Sequence, residues 1–202
     1  MRLYKLAGRI PSNGNHRRLS SLQYENLVCF LHGPGGSGKS AVLELLLNYA
    51  REYCQHVGEI FTETTIVVTA CSGVAATLVK GRTVHSAVHL MKEIEGIKRV
   101  EKELWEHTRL LIIDEISFAS KNDIIKINER VKHLKDNQLT YGGIDIIFCG
   151  DLRQLEPFGL GQIPLHHETF SEFHGAVNCY LKLKGTHRFA EDPEWGMLLM
   201  RF

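Results

Sequence analysis

The 202-residue sequence has no apolar run approaching ~18 residues, the length a membrane-spanning helix needs, so no membrane association is expected. It has no C-x-x-C pair and no H-E-x-x-H spacing. Its five cysteines, Cys29, Cys54, Cys71, Cys149 and Cys179, are odd in number and widely spaced. They suggest neither a disulfide framework nor a zinc site, and a reducing compartment fits them best. Cys29 and Cys149 fall in apolar runs and read as buried filler. The adjacent His166 and His167 read as a polar loop and not as a metal site. An excess of charge of either sign is also lacking, since 24 basic against 23 acidic residues leave a net +1. That excludes a uniformly basic surface, so any nucleic-acid contact has to be a local patch. Apolar residues make up 44% and charged residues 23%, an ordinary globular composition.

Acid is absent from residues 1–24, which carry Arg2, Lys5, Arg9, Arg17 and Arg18. The stretch reads as a flexible leader or as an organellar transit segment, which is Arg-rich and acid-poor.

What is present begins with Gly33-Pro34-Gly35-Gly36-Ser37-Gly38-Lys39-Ser40, followed by Ala41. It fits G-x-x-x-x-G-K-[ST], the phosphate-binding loop of nucleotide hydrolases. The apolar run Leu27–Leu31 before it predicts a buried strand. Residues 41–53, with leucines on most faces, predict a buried helix. A phosphate chain needs donors close by and no side chains in the way. Glycines let successive N–H groups turn inward, and the new helix adds its positive N-terminal end. Pro34 lacks an N–H but precedes the donors that matter. Lys39 is the candidate for the β- and γ-phosphates of a nucleotide, and the Ser40 hydroxyl for Mg²⁺.

Thr65–Ala70 is short and β-branched, a second buried strand. Cys71–Leu78 turns into a small-residue helix. Gly81–Ser86 forms a second turn, with Thr83 as an N-cap. Both turns follow a strand and are expected at one edge of the sheet with the phosphate loop. Residues 92–107 predict a charged, mostly helical surface segment with Val100 and Leu104 as its apolar stripe and Trp105 as a packing anchor. Leu110–Ile113 then predicts a buried strand ending in Asp114 and Glu115. Nucleotide hydrolysis needs one carboxylate to hold Mg²⁺ and a second acceptor to orient and deprotonate the attacking water. Asp114 fits the first role and Glu115 the second. Seventy-four residues separate Lys39 from Asp114, room for an intervening β-α unit. Residues 122–136 predict a surface helix packed through Ile124, Ile127, Val131 and Leu134. Ile144–Cys149 is another strand, with Gln154 beyond its tip, and Tyr180–Leu183 a last one. A final helix is expected near residues 194–202.

In order, G-P-G-G-S-G-K-S, T-A-C-S-G-V-A-A-T, G-R-T-V-H-S, L-I-I-D-E-I-S, G-D-L-R-Q-L-E-P and T-H-R-F resemble the Pif/RecD-like branch of superfamily 1 DNA helicases. The similarity is to petite-integration-frequency helicases and to helicase modules of Helitron-type transposons, and it spans residues 27–202. It implies an α/β fold: a RecA-like P-loop domain at residues 25–190 with a mainly parallel sheet and helices on both faces. Residues 87–107 would be a short inserted surface segment. Residues 191–202 would begin a helix leading to a second motor domain that this sequence does not contain. The resemblance implies ATP and Mg²⁺ as cofactors, with Lys39, Glu115, Gln154 and Arg188 catalytic and Ser40 and Asp114 on the metal. Gln154 would read the γ-phosphate, and Arg188 would neutralise transition-state charge. Ser72, Gly73, His85 and Ser86 would contact a single-strand backbone. Implied partners are single-stranded DNA, with 5′-to-3′ movement, and a second RecA-like domain in cis or in trans. The adenine-recognising glutamine of the family would have to be Gln23. The compartment would be nuclear or mitochondrial in a eukaryote, otherwise cytoplasmic. Two other readings stand beside this one. The first is a degenerate transposon-derived fragment that binds nucleotide or DNA without effective turnover. The second is a P-loop ATPase or nucleotide kinase unrelated to DNA.

Overall fold

A computed structural model describes residues 26–151 and 177–185. The leader, Gln23, Gln154, His166, His167, Arg188 and residues 191–202 lie outside them. Among the described residues, six strands form one all-parallel sheet: β1 (Val28–His32), β2 (Ile66–Ala70), β3 (Arg82–Thr83), β4 (Leu110–Asp114), β5 (Asp145–Gly150) and β6 (Cys179–Lys182). Their order is β3-β2-β4-β5-β1-β6. The helices are α1 (Lys39–His56), α2 (Gly73–Leu78), α3 (Val84–Ala87), α4 (Arg99–Glu106) and α5 (Lys121–Lys135).

The central strands are continuous apolar runs because both faces are covered. Val28, Phe30, Leu111, Ile113, Ile146 and Phe148 face α3, α4 and α5. Cys29, Leu31, Leu110, Ile112, Ile147 and Cys149 face α1. This is the period-two alternation of a strand, with both sides apolar. Cys29 and Cys149 are buried, and all five cysteines are free thiols. Helix α5 docks through Ile124, Ile127, Val131 and Leu134, the stripe expected from its sequence. Among the described residues no helix is long and apolar enough to cross a membrane.

Three expectations need correction. Helix α1 is not buried all round. Leu43, Leu46, Leu47 and Ala50 meet the sheet, whereas Leu45 is 68% exposed. Residues 92–98 are not α-helical and contain only a 3₁₀ turn at Ile94–Gly96. The helix starts at Arg99, where the Glu101 carboxylate accepts the Lys98 backbone N–H at 2.8 Å. Glu101 also pairs with Lys92 and, at 3.5 Å, with His89, which closes the loop ahead of the helix. Finally, Val100 and Leu104 are not the docking stripe of α4, since they are 65% and 50% exposed. Trp105, at 2%, carries that contact with Ile97. One large ring on an eight-residue helix replaces the aliphatic stripe a longer helix would need.

Equilibrium denaturation of Trp105→Ala should show a loss of about 3–5 kcal/mol. Val100→Gln should stay within about 0.5 kcal/mol of the parent. Equal losses would contradict the packing described.

Candidate active site

The chain turns sharply after β1. The Ser37 N–H donates to Pro34 O at 3.1 Å, and the Gly33 N–H donates to Gly150 O at 3.3 Å, tying the loop to the tip of β5. A Cβ on Gly33 would overlap Ser37 Oγ, so a larger residue there would force the Ser37 side chain to move. Gly38 sits at φ 91°, ψ 15°, a left-handed conformation that caps α1 with no side-chain partner. The first N–H groups of an 18-residue helix are therefore left for an anion. Ser37 Oγ is buried without a hydrogen-bond partner. Lys39 Nζ donates to Gly33 O at 2.6 Å and Pro34 O at 3.1 Å, folding back over the loop entrance.

Two strands away in the sheet, β4 ends in Asp114 and Glu115. Asp114 is half-buried, and its Oδ1 accepts the Glu115 N–H at 2.9 Å. Burial raises the Asp114 carboxyl above the ordinary aspartate range. The Glu115 N–H opposes that shift, the Glu115 charge adds to it, and the Lys39 ammonium opposes it. The phosphate loop and the β4 tip thus share one electrostatic environment, on either side of β5. Glu115 is a non-glycine residue at φ 53°, ψ 43°. Such backbone costs on the order of 1–3 kcal/mol and persists only where its surroundings fix it.

The two turns after β2 and β3 lie side by side, because β2 pairs with both β3 and β4. Both are at the carboxyl rim with the phosphate loop, as expected. They are not next to it, since β4 and β5 intervene. Ser72 caps α2 and Thr83 caps α3, accepting the N–H groups of Ala75 and Ser86. Gly73, His85 and Ser86 are exposed. Cys71, between the turn and the carboxylates, is inert: burial, then the charges of Asp123, Asp114 and Glu115, push its thiol up to about 12.

The sequence reading missed one contact. Ser72 Oγ donates to Glu115 Oε2 at 2.8 Å. Motif order along the chain places these residues in different tasks. Strand adjacency was the signal available, since Ala70 lies opposite Asp114 and both turns start from that pair.

Phosphate-loop geometry, a carboxylate pair at the same rim and a parallel sheet are the features of P-loop nucleotide hydrolases. A family model described as PIF1-like helicase matches residues 18–179. The chain belongs to this family. It is 32% identical over 139 residues to the ATP-dependent DNA helicase Pif1 of Psychrobacter, covering 64% of this chain and 20% of that protein. It is 35% identical over 137 residues to the ATP-dependent DNA helicase PIF1 of Candida albicans, covering 63% of this chain and 14% of that one. The crystal structure of Pif1 helicase from Candida albicans superposes with a TM-score of 0.72 at 29% identity, over 87% of this chain and 40% of the other. The chain therefore spans a fifth or less of the length of these two curated relatives.

The raised Asp114 carboxyl has a thermodynamic consequence. With its folded value above its unfolded one (about 3.9), the native state holds more protons through the window between them. Stability falls as pH rises through that window, and the loss is complete above the folded value. Asp114→Asn removes the loss. Thermal melts of the nucleotide-free chain should show this variant as the more stable at neutral pH, with the advantage vanishing towards about pH 4. A less stable variant at neutral pH would refute the assignment.

Proposed function

We propose that the chain is an ATP-hydrolysing motor domain that acts on DNA, with turnover coupled to single-stranded DNA. The observation that carries this is one carboxyl rim holding the phosphate loop, the Asp114–Glu115 pair and the two polar turns after β2 and β3. The DNA helicases among its relatives support the same reading.

The backbone N–H groups over residues 35–41 cradle the phosphates. Lys39 exchanges the carbonyls of Gly33 and Pro34 for the β- and γ-phosphate oxygens, trading uncharged acceptors for anionic ones. Ser40 and Asp114 supply hard oxygen donors suited to Mg²⁺, and the burial of Asp114 favours a cation that restores its ionised form. Bound there, the metal would neutralise charge developing on the phosphates. Glu115 orients the attacking water and accepts its proton. Ser72, Gly73, His85 and Ser86 hold the sugar-phosphate backbone without reading bases. Gln154 and Arg188, outside the described residues, keep the γ-phosphate roles the resemblance gives them. A second RecA-like domain, in cis or in trans, closes over the nucleotide.

ATP turnover measured with and without oligothymidylate should rise with DNA. Glu115→Gln should keep nucleotide binding and lose about 10²–10⁴ in rate, the usual contribution of a positioned base. Turnover indifferent to DNA would refute the coupling. Binding without turnover in the parent would favour the fragment reading.

A further inference from the structure

Ser72 belongs by position to a DNA-contacting turn and by hydrogen bonding to the catalytic centre. Its Oγ donates to Glu115 Oε2 at 2.8 Å and accepts the Ala75 N–H at 3.2 Å. A serine hydroxyl carries one proton. It cannot donate to a carboxylate and to a phosphate oxygen at once. We propose that Ser72 is a latch on Glu115, its hydroxyl donating a hydrogen bond to the carboxylate in the free chain and to a DNA phosphate in the bound one. This rests on the function proposed above and deepens it by assigning how DNA reaches the chemistry.

Strand order gives the latch its effect. Ser72 follows β2, on one flank of β4, whereas the phosphate loop follows β1, beyond β5 on the other flank. A Glu115 carboxylate bonded to Ser72 is drawn away from the side where a water would attack a γ-phosphate. The backbones on either side of the contact are pinned. The Cys71 N–H donates to Asp114 O at 3.0 Å, and Ala70 lies in register with Asp114. The Glu115 N–H is held by Asp114 Oδ1 at 2.9 Å. Releasing the base therefore takes only a side-chain rotation once the hydroxyl donates elsewhere. Ser72 acts here as a positioning residue, through Glu115.

The test uses the 202-residue chain. Fluorescence anisotropy with labelled oligothymidylate establishes binding first. The ¹³C carboxyl resonance of Glu115, assigned by its loss in Glu115→Gln, is then followed with and without that oligonucleotide. It should move on binding in the parent, and in DNA-free Ser72→Ala it should already lie near the DNA-bound position. Ser72→Ala should also raise DNA-free ATP turnover several-fold and bring the stimulation ratio towards one. Ser72→Thr, which keeps hydroxyl and cap, should restore both parent values. A resonance that stays put while DNA binds overturns the latch and leaves the proposed function standing. Failure to bind DNA overturns both. The parent resonance carries the test even if Ser72→Ala does not fold.

Discussion

The structure depends on the parallel ladder that joins β4, β5 and β1. Five in-register pairs join β1 to β5, and four join β4 to β5. Parallel strands need long crossovers, so each strand end at the carboxyl rim opens into a turn leading to a helix. The phosphate loop, the Asp114–Glu115 tip and the residue after β5 therefore emerge together on one rim. Parallel strands are also buried on both faces, which is why their sequences are solid apolar runs. The same stiffness sustains irregular backbone at the rim. Glu115 is left-handed without being glycine, and it stays so because the strand behind it cannot move.

Burial at the rim sets the charge balance. Asp114 is pulled towards its neutral form by desolvation and by Glu115, and towards its ionised form by Lys39 and the Glu115 N–H. The cationic end of Lys39 rests meanwhile on the carbonyls of Gly33 and Pro34. Under the function proposed above, a bound metal-nucleotide would offer anionic oxygens to Lys39 and a cation to Asp114.

The strands and the phosphate loop were legible in the sequence because each has a local cause. β-Branched and apolar runs predict buried strands, and G-x-x-x-x-G-K-S allows few backbones. Helix docking was less legible. Leu45 and Leu104 are apolar and exposed, so counting apolar residues on α1 and α4 overestimates what the sheet can cover. Gly96, and the bond from the Lys98 N–H to Glu101, start α4 later than the charge pattern suggests. The contact between Ser72 and Glu115 was invisible for a different reason. The two residues are 43 positions apart, and only the pairing of β2 with β4 brings them together. Motif reading assigns roles along the chain, whereas this role follows from which strand is next to which.

That adjacency bears on how a rigid domain can respond to DNA. The strands at the rim are held by ladder bonds that a passing ligand will not break, so the backbone offers little movement. A hydrogen bond such as the 2.8 Å contact from Ser72 to Glu115 weakens steeply once side-chain rotation takes its angle below about 120°. Such a bond, between the turn proposed to hold DNA and the proposed base, would let a local change of partner alter the chemistry while the sheet stays fixed. The turn after β3 is one strand further out, since β3 pairs with β2. Of the two turns, the one after β2 is the one hydrogen-bonded to Glu115.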